Sequence, residues 1–106
     1  MELIVYWTKF AEQKLDDIFD YYEFKANAIV ARNLIIGIID TSLRLSNNPQ
    51  IGKIEELLSN RPQAFRYLVY KNYKIIYWIN KQENRIEIVN VFDTRQNPIK
   101  MSMFSK

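Results

Sequence analysis

The sequence predicts an α+β fold: an N-terminal strand and an antiparallel helical hairpin packed on a small, mainly antiparallel sheet, in the order β-α-α-β-β-β. Three observations predict it. Residues 3–7 are apolar or aromatic throughout and rich in strand formers. Residues 9–45 carry helical periodicity interrupted only at Ala26-Asn27. Residues 65–70, 73–79 and 85–92 then form three β-rich runs separated by short polar turns. A chain of 106 residues should make one domain, spanning residues 1–106. That length buries a core without disulfides or metals.

The elements follow in order. Thr8 is the natural N-cap after the first strand. Ala11, Leu15, Ile18 and Tyr22 recur at steps of four, three and four, marking the buried face of a helix from Lys9 to about Lys25. Phe19 and Tyr21 widen that face, and Glu12, Asp16, Asp17, Asp20 and Glu23 cover the rest. Asp16, Asp17 and Asp20 cluster in sequence as metal ligands do, but helical spacing sends Asp16 and Asp17 to different faces. A solvated face is expected there, and no metal site.

Asn27 caps a second helix over residues 28–45, with Ala31, Leu34, Ile35, Ile38, Ser42 and Leu45 on its core face. Ile29, Val30, Ile36, Ile39 and Leu43 carry the apolar surface well round the cylinder. A stripe that wide needs cover on two sides. The sheet supplies one; the first helix or a protein partner supplies the other. Asn47-Asn48-Pro49 ends the helix, Gly52 turns the connection, and residues 54–58 have room for a short helical turn. Lys71-Asn72 reads as a two-residue hairpin turn with Asn72 at positive φ, and residues 80–84 as a longer polar turn.

Alternation sorts the strand faces. Phe65, Tyr67 and Val69 oppose Arg66, Leu68 and Tyr70. Tyr73, Ile75, Tyr77 and Ile79 oppose Lys74, Ile76 and Trp78. Arg85, Glu87, Val89 and Val91 oppose Ile86, Ile88 and Phe92. The helices need one face of the sheet, which leaves the other, or part of it, as the natural working surface.

Charge divides the chain. Residues 1–60 hold 6 Lys/Arg and 9 Asp/Glu, whereas residues 61–106 hold 9 and 3, so balances of −3 and +6 make up the net +3. A basic sheet half suits a polyanionic or acidic partner; it equally suits lysines that solubilise the sheet and guard its edges. No cysteine is present, which excludes disulfides and thiolate sites and is compatible with a cytoplasmic location. No histidine is present, which removes the commonest general base and the commonest transition-metal ligand. No cofactor is implied. The longest apolar run, residues 34–39, is too short to span a membrane, and no basic segment precedes the first apolar run as a signal peptide requires.

The candidate target- or nucleic-acid-binding cations are Arg61, Arg66, Lys74, Arg95 and Lys100. Each has a structural alternative. Arg66 can pair with Glu87 across the sheet or with a loop carboxylate; Arg95 can fix its own turn; Arg61 and Lys100 can be solvated charges. Tyr67, Tyr70, Tyr73, Tyr77 and Trp78 interleave with Arg66, Lys71 and Lys74, a mixture that stacks bases when exposed and packs as core when buried.

The order of elements carries a family resemblance. Contributing features are Val5-Tyr6-Trp7-Thr8, the Asn48-Pro49-x-x-Gly52 bend, Arg66-x-Leu68-Val69-Tyr70, Tyr73-Lys74-Ile75-Ile76-Tyr77, and Val91-Phe92-Asp93-Thr94-Arg95-Gln96-Asn97-Pro98. Together they resemble the RelE/ParE toxin superfamily of bacterial type II toxin–antitoxin (plasmid stabilisation) modules, over nearly the whole chain. The resemblance implies a small cytoplasmic toxin neutralised by a cognate antitoxin. Ile35, Ile36, Ile39 and Leu43 would then meet an amphipathic antitoxin helix or a second toxin copy, as a homodimer.

Two targets are known in such a superfamily. RelE-like members cut messenger RNA on the ribosome; ParE-like members inhibit DNA gyrase. In a nuclease, Arg66 would stabilise the phosphate and be catalytic, with Arg95 or a lysine assisting. Many relatives, however, carry a histidine and a second arginine where Asp93 and Gln96 stand, and no tyrosine follows Tyr77 here. The long hairpin with almost no loop is also ParE-like. The expectation is therefore a ParE-like toxin that acts by binding gyrase. A ribosome-dependent endoribonuclease and a non-toxic partner-binding relative are the alternatives.

Overall fold

A computed structural model of the chain describes residues 2–104. Its elements are β1 (Ile4–Trp7), α1 (Lys9–Lys25), α2 (Ala28–Leu43), β2 (Lys53–Ile54), β3 (Arg66–Tyr70), β4 (Tyr73–Asn80) and β5 (Arg85–Asp93). Short 3₁₀ turns occupy Arg44–Ser46, Glu56–Leu58 and Pro98–Ser102. The sheet runs β1-β5-β4-β3-β2; β1 is parallel to β5 and every other pair is antiparallel. The predicted α+β class and its order hold, with β2 as an added edge strand.

Local chemistry sets the helix ends. Thr8 Oγ1 accepts from the Ala11 N–H at 3.3 Å and donates to the Ile88 carbonyl at 2.9 Å, so the cap of α1 is also tied to β5. Asn27 Oδ1 accepts from the Val30 N–H at 2.9 Å and starts α2 directly after α1. The second helix stops at Leu43, two residues before the expected Leu45. The Thr41 and Ser42 hydroxyls donate to the Gly37 and Ile39 carbonyls, and the chain tightens into the 3₁₀ turn Arg44–Ser46. That turn still buries Leu45.

The helices cover one face of the sheet. Ile18, Leu34, Ile38 and Leu45 pack there against Leu68, Ile75, Tyr77, Ile86 and Ile88. The helix α2 passes so close to β3 that a Cβ on Gly37 would collide with the Tyr70 hydroxyl.

The opposite face departs from expectation. Met101 and Phe104, at the C-terminal end of the described chain, pack with Leu58, Phe65, Ile76, Val89 and Phe92. Asn90 Nδ2 fastens this strap by donating to the Met101 carbonyl at 3.1 Å. The middle of the face expected to be open is therefore core. The apolar residues Met101 and Phe104 have no periodic partner in sequence, so nothing local marks them as a cover.

Three further details differ from expectation. Ile76 pairs with Asn90 and Tyr77 with Ile88, so Val89 is an extra residue, a β-bulge. The bulge inverts the alternation beyond it: Val91 joins Ile86 and Ile88 beneath the helices, while Phe92 joins Val89 beneath the strap. At the β3–β4 turn the positive φ belongs to Lys71, at 53°, rather than to Asn72. Asn72 uses its side chain instead, donating to Asp93 at 3.0 Å. Residues 54–58, expected as a helical turn, divide between the end of β2 and the turn Glu56–Leu58.

Candidate functional site

Arg66 opens β3, opposite Tyr77 of β4. Its Nη1 donates to the Gly52 carbonyl at 2.8 Å and to the Gln50 carbonyl at 3.3 Å. The Tyr77 hydroxyl works on the same bend: it donates to the Pro49 carbonyl at 2.7 Å and accepts from the Gly52 N–H at 3.0 Å. Tyr77 is fully buried, and burial pushes its phenol up, against the opposing pull of the Gly52 N–H and the Arg66 charge. Arg66 and Tyr77 thus staple the Pro49–Gly52 bend to the sheet. Neither expected carboxylate partner is used. Glu87 lies beyond β4 and takes Arg85 at 2.9 Å and Asn80 at 2.9 Å.

Arg95 sits at the other end of the sheet. Its Nη2 and Nε reach the two oxygens of Asp93 at 2.8 and 3.0 Å, and its N–H donates to Asp93 Oδ1 at 2.9 Å. Asn72 adds a further donor to the same carboxylate. The Arg95 side-chain bonds lead in holding the Asp93 carboxyl down, at about 2, and the carboxylate in turn raises Arg95. Thr94 completes the knot through its hydroxyl, 2.9 Å from the Asn72 carbonyl. An open cleft of about 370 Å³ lies beside it, lined by Lys14, Asp17, Tyr21, Tyr73 and Arg95. Tyr73 is shifted upward, first by burial and then by the neighbouring Tyr22.

The remaining candidate cations lie on or beside the strap-covered face. Lys74 pairs with the buried Glu55 at 2.7 Å and sits 4.1 Å above the Tyr67 ring. Arg61 donates to the Ser102 carbonyl at 2.6 Å and stacks 4.4 Å from the Phe104 ring, clamping the strap. Lys100 is exposed in the turn Pro98–Ser102.

The five cations are therefore not brought together. Arg66 lies level with Tyr77 and Ile88, whereas Asp93 lies level with Tyr73 and Tyr70. At ~3.3 Å per residue those rows are roughly 13 Å apart along the strands. Arg66 and Lys74 project to opposite faces of the sheet. Among the described residues, no group of three or more Asp, Glu, His or Cys is placed to hold a metal ion.

The helical hairpin presents the opposite situation. Ile35 and Ile39 line a groove between the helices with Leu15 and Phe19. Ile36 and Leu43 stand beside it, 47% and 54% exposed. The two neighbouring elements thus cover only part of the apolar stripe of α2.

Residues 5–98 match the family model described as the ParE toxin of type II toxin-antitoxin system, parDE. The chain belongs to the ParE toxin family. A solved structure described as "Chromosomal ParDE TA system from P. aeruginosa" has the same fold, with a TM-score of 0.72 at 19% identity, covering 87% of this chain and 96% of that one. Among curated proteins none matches the chain. No helix of the described residues is long and apolar enough to cross a membrane.

In this ParE-family chain, sequence reasoning missed Tyr77 as the staple of the bend and Glu55 as the counter-ion of Lys74. Gly52 carried the one legible signal of the staple. A Cβ there would stand 2.6 Å from the Tyr77 hydroxyl and 2.7 Å from the Tyr67 carbonyl, so the bend demands the smallest residue.

Proposed function

We propose that this ParE-family chain is a bacterial cytoplasmic toxin that acts by binding DNA gyrase, without an active site of its own, and that a cognate antitoxin neutralises it. One observation carries the choice of binding over cleavage: the cations suited to phosphate chemistry are engaged in the fold and dispersed. Arg66 is bonded to the Gly52 carbonyl, Lys74 to Glu55 and Arg95 to Asp93. Cleavage through the RNA 2′-hydroxyl needs a base, an acid and a cation converging within a few ångströms of one phosphate. The dispersed arrangement favours surface recognition. Ile35, Ile36, Ile39 and Leu43 are the residues through which a protein partner would take hold, whether antitoxin or second copy.

Induction of the chain in bacterial cells tests this reading. Double-strand DNA breaks and the DNA-damage response, with intact transcripts, are the expected result. Cuts in translated mRNA with undamaged DNA would reverse it and make Arg66 the first catalytic candidate. Unaffected growth with a folded protein would indicate a relative that only binds its partner.

A further inference from the structure

The two edges of the sheet are guarded unequally. At one edge, β2 is two residues long and carries Lys53, and short charged strands discourage pairing with another chain. At the other edge, β1 reads Ile4-Val5-Tyr6-Trp7, without charge or proline. The backbone groups of β1 alternate in direction. The Thr8 N–H donates to the Ile88 carbonyl of β5 at 3.1 Å, whereas the Leu3 N–H donates the other way, to the Ser46 carbonyl at 3.0 Å. Val5 and Trp7 follow Leu3 in this alternation, so their N–H and carbonyl groups point out from the sheet. Among the described residues no main-chain hydrogen bond reaches these outward groups. Val5 and Trp7 turn their side chains to the core beneath the helices. Ile4 and Tyr6 lie on the opposite face, beyond the strap, and are 72% and 40% exposed. Arg85 packs 3.9 Å from the Tyr6 ring on that face.

We propose that β1 pairs antiparallel with β1 of a second copy, across a two-fold axis at Tyr6. The register follows from which groups are available. Leu3 is taken at both its N–H and its carbonyl by Ser46, and beyond Thr8 the chain turns into α1. Only the register that sets Val5 opposite Trp7 of the second copy uses both residues of both chains. Each Val5–Trp7 pair exchanges N–H···O=C bonds in both directions, on either side of the axis. Tyr6 then faces Tyr6 of the second copy as a non-hydrogen-bonded pair, with Cα atoms about 4.5 Å apart, a position where aromatic side chains pair favourably. The available groups are symmetric about Tyr6, and that self-complementarity selects a copy of the same strand over an unrelated one. Charge fits the same orientation. Glu2 precedes the strand and Lys9 follows it, both exposed, so antiparallel pairing brings the acidic start of each copy to the basic end of the other. A strand of four residues makes a small interface, so the dimer is weak, with a dissociation constant of about 10–1,000 µM. Ile36 and the rest of the hairpin face take no part in it.

The chain contains no cysteine, so a single introduced thiol reports the register. Purified Tyr6→Cys, Ile4→Cys and Ile36→Cys chains are compared under mild oxidation, with circular dichroism confirming the fold. Tyr6→Cys should form disulfide-linked dimers at least about tenfold faster than Ile4→Cys. Its two Cα atoms fall within the roughly 4.4–6.8 Å that a disulfide spans, whereas those of two Ile4 residues lie roughly 13 Å apart along the strands. Random collision would instead favour Ile4, the more exposed of the two. In sedimentation, wild type should shift from one chain to two as its concentration rises through the range above. Tyr6→Lys sets like charges across the axis and should stay monomeric. An equimolar mixture of Tyr6→Lys and Tyr6→Glu should dimerise again, which separates lost pairing from lost folding. Equal crosslinking by Tyr6→Cys and Ile4→Cys, or faster crosslinking by Ile36→Cys, would overturn the proposal. So would wild type that remains a single chain at about 1 mM.

Discussion

The sheet and the helical hairpin treat their conspicuous side chains in opposite ways. On the sheet, the conspicuous residues are cations, and the fold uses them: Arg66 holds a bend, Lys74 neutralises the buried Glu55, Arg85 neutralises Glu87, and Arg95 closes the turn after β5. On the hairpin, the conspicuous residues are aliphatic, and the fold leaves them uncovered: Ile29, Ile36 and Leu43 remain exposed. Charges without partners and apolar groups without cover are the two signs of work done outside the fold. Here the second sign is present on the hairpin, whereas the sheet cations Arg66, Lys74, Arg85 and Arg95 all have partners within the fold. That difference is the ground for the proposal that the chain acts by binding.

Substitutions can break or sharpen the contrast, beginning with those expected to cost most. Tyr77→Ala empties a fully buried site and should destabilise the chain by about 3–5 kcal/mol in chemical denaturation. Tyr77→Phe keeps the volume but orphans the Pro49 carbonyl and the Gly52 N–H, at about 1–3 kcal/mol. Arg66→Ala removes a charged donor from two bend carbonyls and should cost about 1–2 kcal/mol. All three act on one bend, so pairing Tyr77→Phe with Arg66→Ala should give a non-additive total. Additivity would mean that the two side chains do not share the staple.

The acid limb gives a smaller effect. The Asp93 carboxyl lies below its ordinary 3.8, at about 2 in the folded chain. A depressed carboxylate contributes stability that is complete above its unfolded value and lost as pH falls through the folded one. Wild type should therefore lose this contribution between about pH 4 and pH 2, and Asp93→Asn should flatten that part of the stability–pH curve. An unchanged curve would remove the Asp93–Arg95 pair from the account. Least disturbing to the fold is Ile36→Asp, on the exposed face of the hairpin, which should leave stability within about 0.5 kcal/mol. A large loss of stability there would mean that the hairpin face is core, contrary to the contrast drawn here.

The hairpin was legible in sequence because its signals are local. Thr8 and Asn27 cap as their types dictate, and the apolar steps of both helices lie within one turn of each other. The far half of β5 was misread because one extra residue, Val89, inverts every side chain after it, and no residue type announces a bulge. The strap escaped because Met101 and Phe104 bury themselves against strands distant in sequence. The candidate site shows the same limit. Arginine and lysine could be picked out as cations, but their roles depend on partners up to 41 residues away, as with Arg61 and the Ser102 carbonyl. Arg66 in particular is decided by backbone carbonyls, which every residue possesses and no sequence pattern reveals.

The most direct test of the central claim joins toxicity to stability for one variant. Arg66→Ala would be compared with wild type for growth inhibition on induction and, as purified protein, for its unfolding midpoint. The account predicts that toxicity falls only as far as the lost stability explains and recovers when cells are grown at lower temperature. A variant that is as stable as wild type yet wholly non-toxic, with mRNA left uncut where wild type cuts it, would contradict the account.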